Sequence, residues 1–169
     1  MQELKKMNIN IHMFTGDTKE KATEIAQQVG IDNINYSMLP SDKYTYLEEI
    51  IKKKTEKSIV SFVGDGINDA PVLKLSDLGI SMGSLGTDSA IEASDVVIMN
   101  DNLEKIVTAI NISKKTNKII KENLIFALGV KLLVLVLTLI GLSTMLEAVF
   151  ADVGVTVLCI LNTLRLLKK

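Results

Sequence analysis

Val63-Gly64-Asp65-Gly66-Ile67-Asn68-Asp69-Ala70-Pro71 decides how this chain reads. The apolar, β-branched run Ile59–Val63 leads into it and a helical stretch, Asn68–Leu75, leads out, so the order is strand, Gly-rich turn, helix. Loops at the carboxyl ends of parallel strands are where such folds bind ligands. Asp65 and Asp69, four residues apart, offer hard oxygen ligands to Mg²⁺, and the glycines let the backbone approach a phosphate closely. Asn68 can donate to a phosphate oxygen. The same residues would also make an ordinary tight turn, with Asn68 as a helix N-cap.

Working outward, Asn10–Phe14, Leu78–Met82 and Val96–Met99 are further short β-branched runs bounded by Gly, Asp or Asn. Between the runs lie helical stretches: Thr18–Val29, stopped by Gly30, then Lys43–Lys54 and the shorter Thr87–Ala93. Alternating strands and helices predict a doubly wound parallel α/β sheet covered on both faces. A second strand-to-helix junction carries Phe14-Thr15-Gly16-Asp17, where Thr15 can hydrogen-bond a phosphoryl group at a helix N-terminus. The competing reading is a helix capped by Asp17 or Thr18. Lys43, in Pro40-Ser41-Asp42-Lys43, is a cation able to neutralise a phosphoryl group in the transition state, or simply a solvated lysine.

The last third changes character. Leu103–Glu122 is a long polar helix carrying Lys105, Lys114, Lys115, Lys118 and Lys121, and it runs straight into the apolar stretch Leu124–Leu142. That stretch is about 30 Å of helix, enough to cross a bilayer. After Ser143–Glu147 a second apolar stretch, Ala148–Leu164, ends at Arg165, Lys168 and Lys169. The expected organisation is 1–101 as the α/β part, 102–122 as a linking helix and 123–169 as a membrane hairpin. Basic residues flank the outer ends while the connecting turn holds only Glu147, which places both ends and the α/β part in the cytoplasm. Two buried helices of a soluble protein would be the alternative. The near-zero net charge of −1 gives no reason to expect a nucleic-acid partner. The single cysteine, Cys159, excludes an intramolecular disulfide and, on a membrane helix, reads as packing; His12 sits within a strand. No signal sequence is visible at the N-terminus.

The order T-G-D, P-x-x-K and G-D-G-I-N-D-A-P resembles the later motifs of the haloacid dehalogenase superfamily, and specifically the phosphorylation domain and hinge of P-type ATPases. The resemblance implies that Thr15 contacts an aspartyl phosphate, Gly16 and Asp17 belong to the dephosphorylation machinery and Lys43 balances phosphate charge. It implies too that Asp65 holds Mg²⁺, with Asn68 and Asp69 supporting phosphate and metal. It puts a nucleophile-bearing strand between those ending at Thr15 and Asp65. That nucleophile, in a D-K-T-G-T motif, is absent from this sequence, as are an ATP-binding domain, an actuator loop and a Cys-Pro-Cys membrane motif. Asp42-Lys43-Tyr44-Thr45 is a superficial match with no apolar strand before it. The expectation is a C-terminal portion, inactive alone, that needs a missing N-terminal portion with most of the ATP site.

Two ionisable residues interrupt the apolar stretches: Lys131, roughly 12 Å in from the cytoplasmic end, and Asp152, roughly 9 Å in from the outer end. Such residues are costly in a bilayer and mark ion pathways, although a structural ion pair or a snorkelling lysine would look the same. Gly129-Val130-Lys131 and Phe150-Ala151-Asp152-Val153-Gly154 resemble the heavy-metal-translocating (P1B) subgroup exporting Zn²⁺, Cd²⁺ or Pb²⁺. There the aspartate is a ligand of the transported ion and the lysine its counter-charge. A carboxylate suits such divalent ions better than Cu⁺. The resemblance implies an integral protein of a bacterial plasma membrane. A membrane-anchored phosphatase of the same superfamily, or an inactive fragment, are the alternatives.

Overall fold

The computed structural model describes residues 1–64, 67–83, 91–100, 102–142 and 144–167. They form two compact units, Met1–Lys105 and Ile106–Lys169. Asp65, Gly66 and most of the expected helix Thr87–Ala93 lie outside the described residues, as do Ser143, Lys168 and Lys169.

In the first unit every strand pairing is parallel. β1 (His12–Phe14) pairs with β2 (Asn33–Asn35), and β4 (Leu78–Met82) lies between β3 (Ser61–Gly64) and β5 (Val96–Ile98). No ladder joins β1 to β3 among the described residues. The helices are α1 (Gln2–Lys6), α2 (Lys19–Val29), α3 (Pro40–Lys53) and α4 (Ala70–Leu75), the last preceded by a 3₁₀ turn at Ile67–Asp69. Neither α1 nor β2 was expected from the sequence.

Local chemistry sets these boundaries. Gly30 closes α2 at φ 77°, a left-handed position that costs glycine nothing, and Ala22 and Ala26 on one face of α2 are fully buried. α3 starts at Pro40, three residues before the expected Lys43. Proline is preorganised for the first helical turn, and the Asp42 carboxylate accepts the Leu39 N–H at 2.8 Å. Leu47 of α3, Phe62 of β3 and Val72 and Leu73 of α4 make the core, with Phe14 and Ile51 packed against it. α4 lies so close to β4 that a Cβ on Gly79 would sit 2.8 Å from the Leu73 carbonyl oxygen. Asp77 ties the start of this layer together by accepting the Val60 N–H at 2.8 Å and pairing with Lys54.

The second unit is built on α5 (Glu104–Leu139) and α6 (Met145–Thr163). The expected polar helix and first apolar stretch are therefore one continuous helix of 36 residues, because nothing between Leu103 and Leu139 breaks helical hydrogen bonding. Gly141, at φ 76°, turns the chain. Thr144 then caps α6 in a reciprocal box: its hydroxyl accepts the Glu147 N–H at 3.4 Å and the Glu147 carboxylate accepts the Thr144 N–H at 2.8 Å. Glu147 thus belongs to the first turn of α6, and the second apolar helix starts at Met145 instead of Ala148. Both helices are long and apolar enough to cross a membrane, and their most apolar windows are not buried within the protein. A soluble protein would hide such helices in its core.

Candidate functional site

In the first unit, Thr15–Asp17 follow the carboxyl end of β1, Asn68 and Asp69 follow β3, and Lys43 lies in the first turn of α3, after β2. Phe14, the last residue of β1, packs edge-on against Tyr46 of α3, with centroids 5.3 Å apart, and lies 6.3 Å from the Phe62 ring of β3. This aromatic junction draws together the ends of the segments that bear Thr15, Lys43 and Gly64. β2 fixes the loop after β1: Thr15 N–H donates to Asn35 O at 3.0 Å, Met38 N–H to Thr15 O at 3.0 Å and Ser37 N–H to Asp17 O at 2.8 Å. A Cβ on Gly16 would touch the Met38 carbonyl oxygen at 3.4 Å.

Thr15 and Asp17 form a local hydrogen-bonded turn. The Thr15 hydroxyl donates to Asp17 Oδ2 at 3.0 Å and accepts the Asp17 N–H at 3.1 Å. Lys21, one helical turn on, pairs with Asp17 Oδ1 at 2.6 Å. The Lys21 ammonium, and then the Thr15 hydroxyl, hold the Asp17 carboxyl below its ordinary pKa. Thr18 occupies the N-cap position of α2, as the cap reading has it, but makes no side-chain cap bond.

Lys43 is not a free surface lysine. Its Nζ lies 2.8 Å from Asp69 Oδ1, and the two side chains are only 19% and 10% exposed. Asp69 heads α4 without a side-chain cap bond, whereas Asn68 stands exposed in the preceding 3₁₀ turn. Gly64 makes room for this arrangement, since a Cβ there would lie 3.0 Å from both Asp69 Cβ and the Phe62 ring. Asp65, the other carboxylate expected to hold Mg²⁺, lies outside the described residues. Of the two carboxylates expected to hold Mg²⁺, the one among the described residues, Asp69, is engaged by Lys43. No group of three His, Cys, Asp or Glu that could hold a metal ion occurs among the described residues.

In the second unit, Lys131 Nζ lies 3.8 Å from Asp152 Oδ1, so the lysine stem spans the gap between the helices. Sequence reading treats both charges as buried. Within this chain their side chains are 75% and 71% exposed, because two helices provide no third wall around them. The structure also reveals a polar cluster that sequence reading missed: Asn123 of α5 bonds to Cys159, Asn162 and Thr163 of α6. Asn123 and Asn162 at the ends of apolar stretches were the available signal. His12 is exposed and makes no part of either group.

Comparison with known proteins agrees with this picture. Residues 1–77 match the haloacid dehalogenase-like hydrolase family. A zinc-transporting ATPase of Synechocystis sp. is 46% identical over 99% of this chain and 23% of its own length. A cadmium, zinc and cobalt-transporting ATPase of Bacillus subtilis is 46% identical over 92% of this chain and 22% of its own. The crystal structure of a zinc-transporting PIB-type ATPase in its E2.Pi state superposes with a TM-score of 0.88 at 37% identity, over 99% of this chain and 27% of that one. The chain thus spans about a quarter of the length of these relatives. In sequence and in fold, it is homologous to a stretch of the zinc- and cadmium-transporting P1B-type ATPases, pairing a haloacid dehalogenase-like parallel sheet with two long apolar helices.

Proposed function

We propose that this chain is the C-terminal portion of an ATP-driven exporter of Zn²⁺, Cd²⁺ or Pb²⁺ that works through an aspartyl phosphate. The observation that carries the reading is the Lys131–Asp152 pair on two apolar helices, in one chain with the little-exposed Lys43–Asp69 pair of the α/β unit.

Thr15 donates to the phosphoryl group, at the N-terminal end of α2 where backbone N–H groups favour an anion. Gly16 keeps the backbone close to it. Asp17, kept ionised by Lys21, serves dephosphorylation. Lys43 neutralises charge developing on the phosphoryl oxygens, and Asn68 donates to one of them. Asp65 and Asp69 hold Mg²⁺, which when bound neutralises charge on the phosphoryl oxygens. In the membrane, Asp152 takes the divalent ion as a hard ligand and Lys131 occupies it when the ion leaves. The basic flanks support a bacterial plasma-membrane protein whose α/β unit and both ends face the cytoplasm.

The nucleophile and most of the ATP site come from the preceding portion of the pump. Among the described residues β1 and β3 are each paired on one side only, which supports this, as a strand between them would join the two sheets. Asp42 is no substitute, because its carboxylate is engaged with the Leu39 N–H in the first turn of α3. Incubation with γ-labelled ATP tests the proposal. The chain alone should remain unlabelled, and the completed pump should acquire acid-stable, hydroxylamine-sensitive label. Such label on the chain alone would overturn it.

A further inference from the structure

Asn123 joins α5 to α6 through every polar atom of its side chain. Its Nδ2 donates to Cys159 O at 3.2 Å and to Thr163 Oγ1 at 3.1 Å, and its Oδ1 accepts from Asn162 Nδ2 at 2.8 Å. The Cys159 thiol points back at Asn123 O, 3.8 Å away. Arg165 extends the cluster by donating to Asn162 Oδ1 at 2.8 Å and to Glu122 Oε2 at 3.2 Å. The rest of both helices is apolar and exposed around this point, with Leu124, Ile125, Leu128, Leu158 and Leu161 each more than half exposed. Between such surfaces in lipid, apolar packing distinguishes poorly between one register and the next, whereas directional bonds between side chains select one. A single buried asparagine has this effect in coiled coils.

The register selected here is the one the ion pair needs. Eight residues along α5 from Asn123 lead to Lys131, and seven to ten residues back along α6 from Cys159 and Asn162 lead to Asp152. At 1.5 Å per residue these paths are about 12 Å and about 11–15 Å long. A slip of one turn would move the partners about 5.4 Å apart along the axis. Lys131 and Asp152 make no other side-chain bond among the described residues, so their own contact at 3.8 Å is a weak tether.

We propose that Asn123, with Asn162 as its main partner, is a positioning residue that sets the register of α5 against α6 and so holds Lys131 opposite Asp152. Its functional meaning rests on reading Asp152 as a ligand of the transported ion. It also accounts for Cys159, whose backbone carbonyl and thiol both serve the clasp rather than an ion.

The test reads register and ion response separately. Spin labels at Leu133 and Phe150, both exposed and flanking the ion pair, are attached to the full chain in lipid nanodiscs, in a Cys159→Ser background that keeps a donor. Dipolar spectroscopy should give one narrow distance distribution without added metal. Asn123→Leu, and independently Asn162→Leu, should broaden or shift it while helix content by circular dichroism stays constant, and the double variant should be no worse than either. Asn123→Gln, which keeps an amide, should restore the narrow distribution. An unchanged distribution in the Leu variants, or a Gln variant as broad as Leu, would overturn the proposal. In the completed pump, Asn123→Leu should raise the Zn²⁺ concentration for half-maximal turnover by about tenfold, the scale for losing a group that orients a ligand, with a smaller effect on maximal turnover. An unchanged Zn²⁺ dependence would also overturn it. Failure of the ion reading is distinct: Asp152→Ala would then keep the unmodified pump's Zn²⁺ dependence, and the distances would be unaffected.

Discussion

Lys43 and Asp69 are 26 residues apart in sequence, yet their side chains meet at 2.8 Å with little exposure. Lys43 leaves the first turn of α3 and Asp69 heads α4, so the ion pair joins two helices across the end of the core that Leu47 and Val72 share. A lysine already paired with a carboxylate is preorganised: its ammonium is held in place by Asp69. Removing one partner strands the other in a poorly solvated position. Lys43→Met should therefore destabilise the first unit by roughly 3 kcal/mol. Lys43→Met with Asp69→Leu should cost less than the two single changes together. Urea denaturation of the full chain, followed by tyrosine fluorescence, measures both. A Lys43→Met midpoint equal to the unmodified chain's would show that the pair contributes nothing.

Asp77 gives a pH dependence of defined sign. The Lys54 ammonium, and then the Val60 N–H, hold its carboxyl below the ordinary carboxylate pKa. Since the folded value lies below the unfolded one, the stabilisation is complete above about pH 4 and is lost as pH falls through the lowered folded value. The group is well solvated, so the contribution is small. Asp77→Asn should flatten the acid limb of a stability–pH curve while leaving the curve near pH 7 parallel to that of the unmodified chain. An acid limb of unchanged slope would assign the acid sensitivity elsewhere.

The strand edges make a separate prediction. Among the described residues β4 is paired on both sides, whereas β1 and β3 are each paired on one. Amides of Leu78–Met82 should exchange slowly, and alternate amides of His12–Phe14 and Ser61–Gly64 quickly, in the chain alone. In the completed pump those alternate amides should become protected by a strand laid between them. Uniformly slow exchange across Ser61–Gly64 in a monomeric chain would contradict the missing-strand account. Unpaired edges of this kind also favour aggregation.

Much of the fold was legible because the sequence announces it locally. Leu78–Met82 is a strand over the residues expected of it, and α2 stops at Gly30 because only a glycine takes that turn freely. β2 was not legible: Asn33-Ile34-Asn35 has two asparagines around one apolar residue and becomes a strand only by pairing with β1. The run of the polar helix straight into the apolar stretch was legible, because polarity changes at Asn123 while nothing there interrupts helical hydrogen bonding. The site divided in the same way. Motif order named Thr15, Asp17, Lys43 and Asp69, but the contacts of Lys43 with Asp69 and of Asn123 with Asn162 join residues far apart in sequence, which no local pattern encodes.

The central claim, that Asp152 binds the transported ion and Lys131 stands in for it when the site is empty, is tested most directly by Zn²⁺ binding. Equilibrium Zn²⁺ binding and Zn²⁺-stimulated ATP turnover should be measured together for Asp152→Ala, Asp152→Glu and Lys131→Ala in the completed pump. Asp152→Ala should lose the membrane-site ion and the stimulated turnover, Asp152→Glu should keep partial activity with altered ion preference, and Lys131→Ala should retain binding but weaken release. Asp152→Ala with full Zn²⁺ stoichiometry and unmodified turnover would contradict the account and leave the 3.8 Å contact as a structural ion pair.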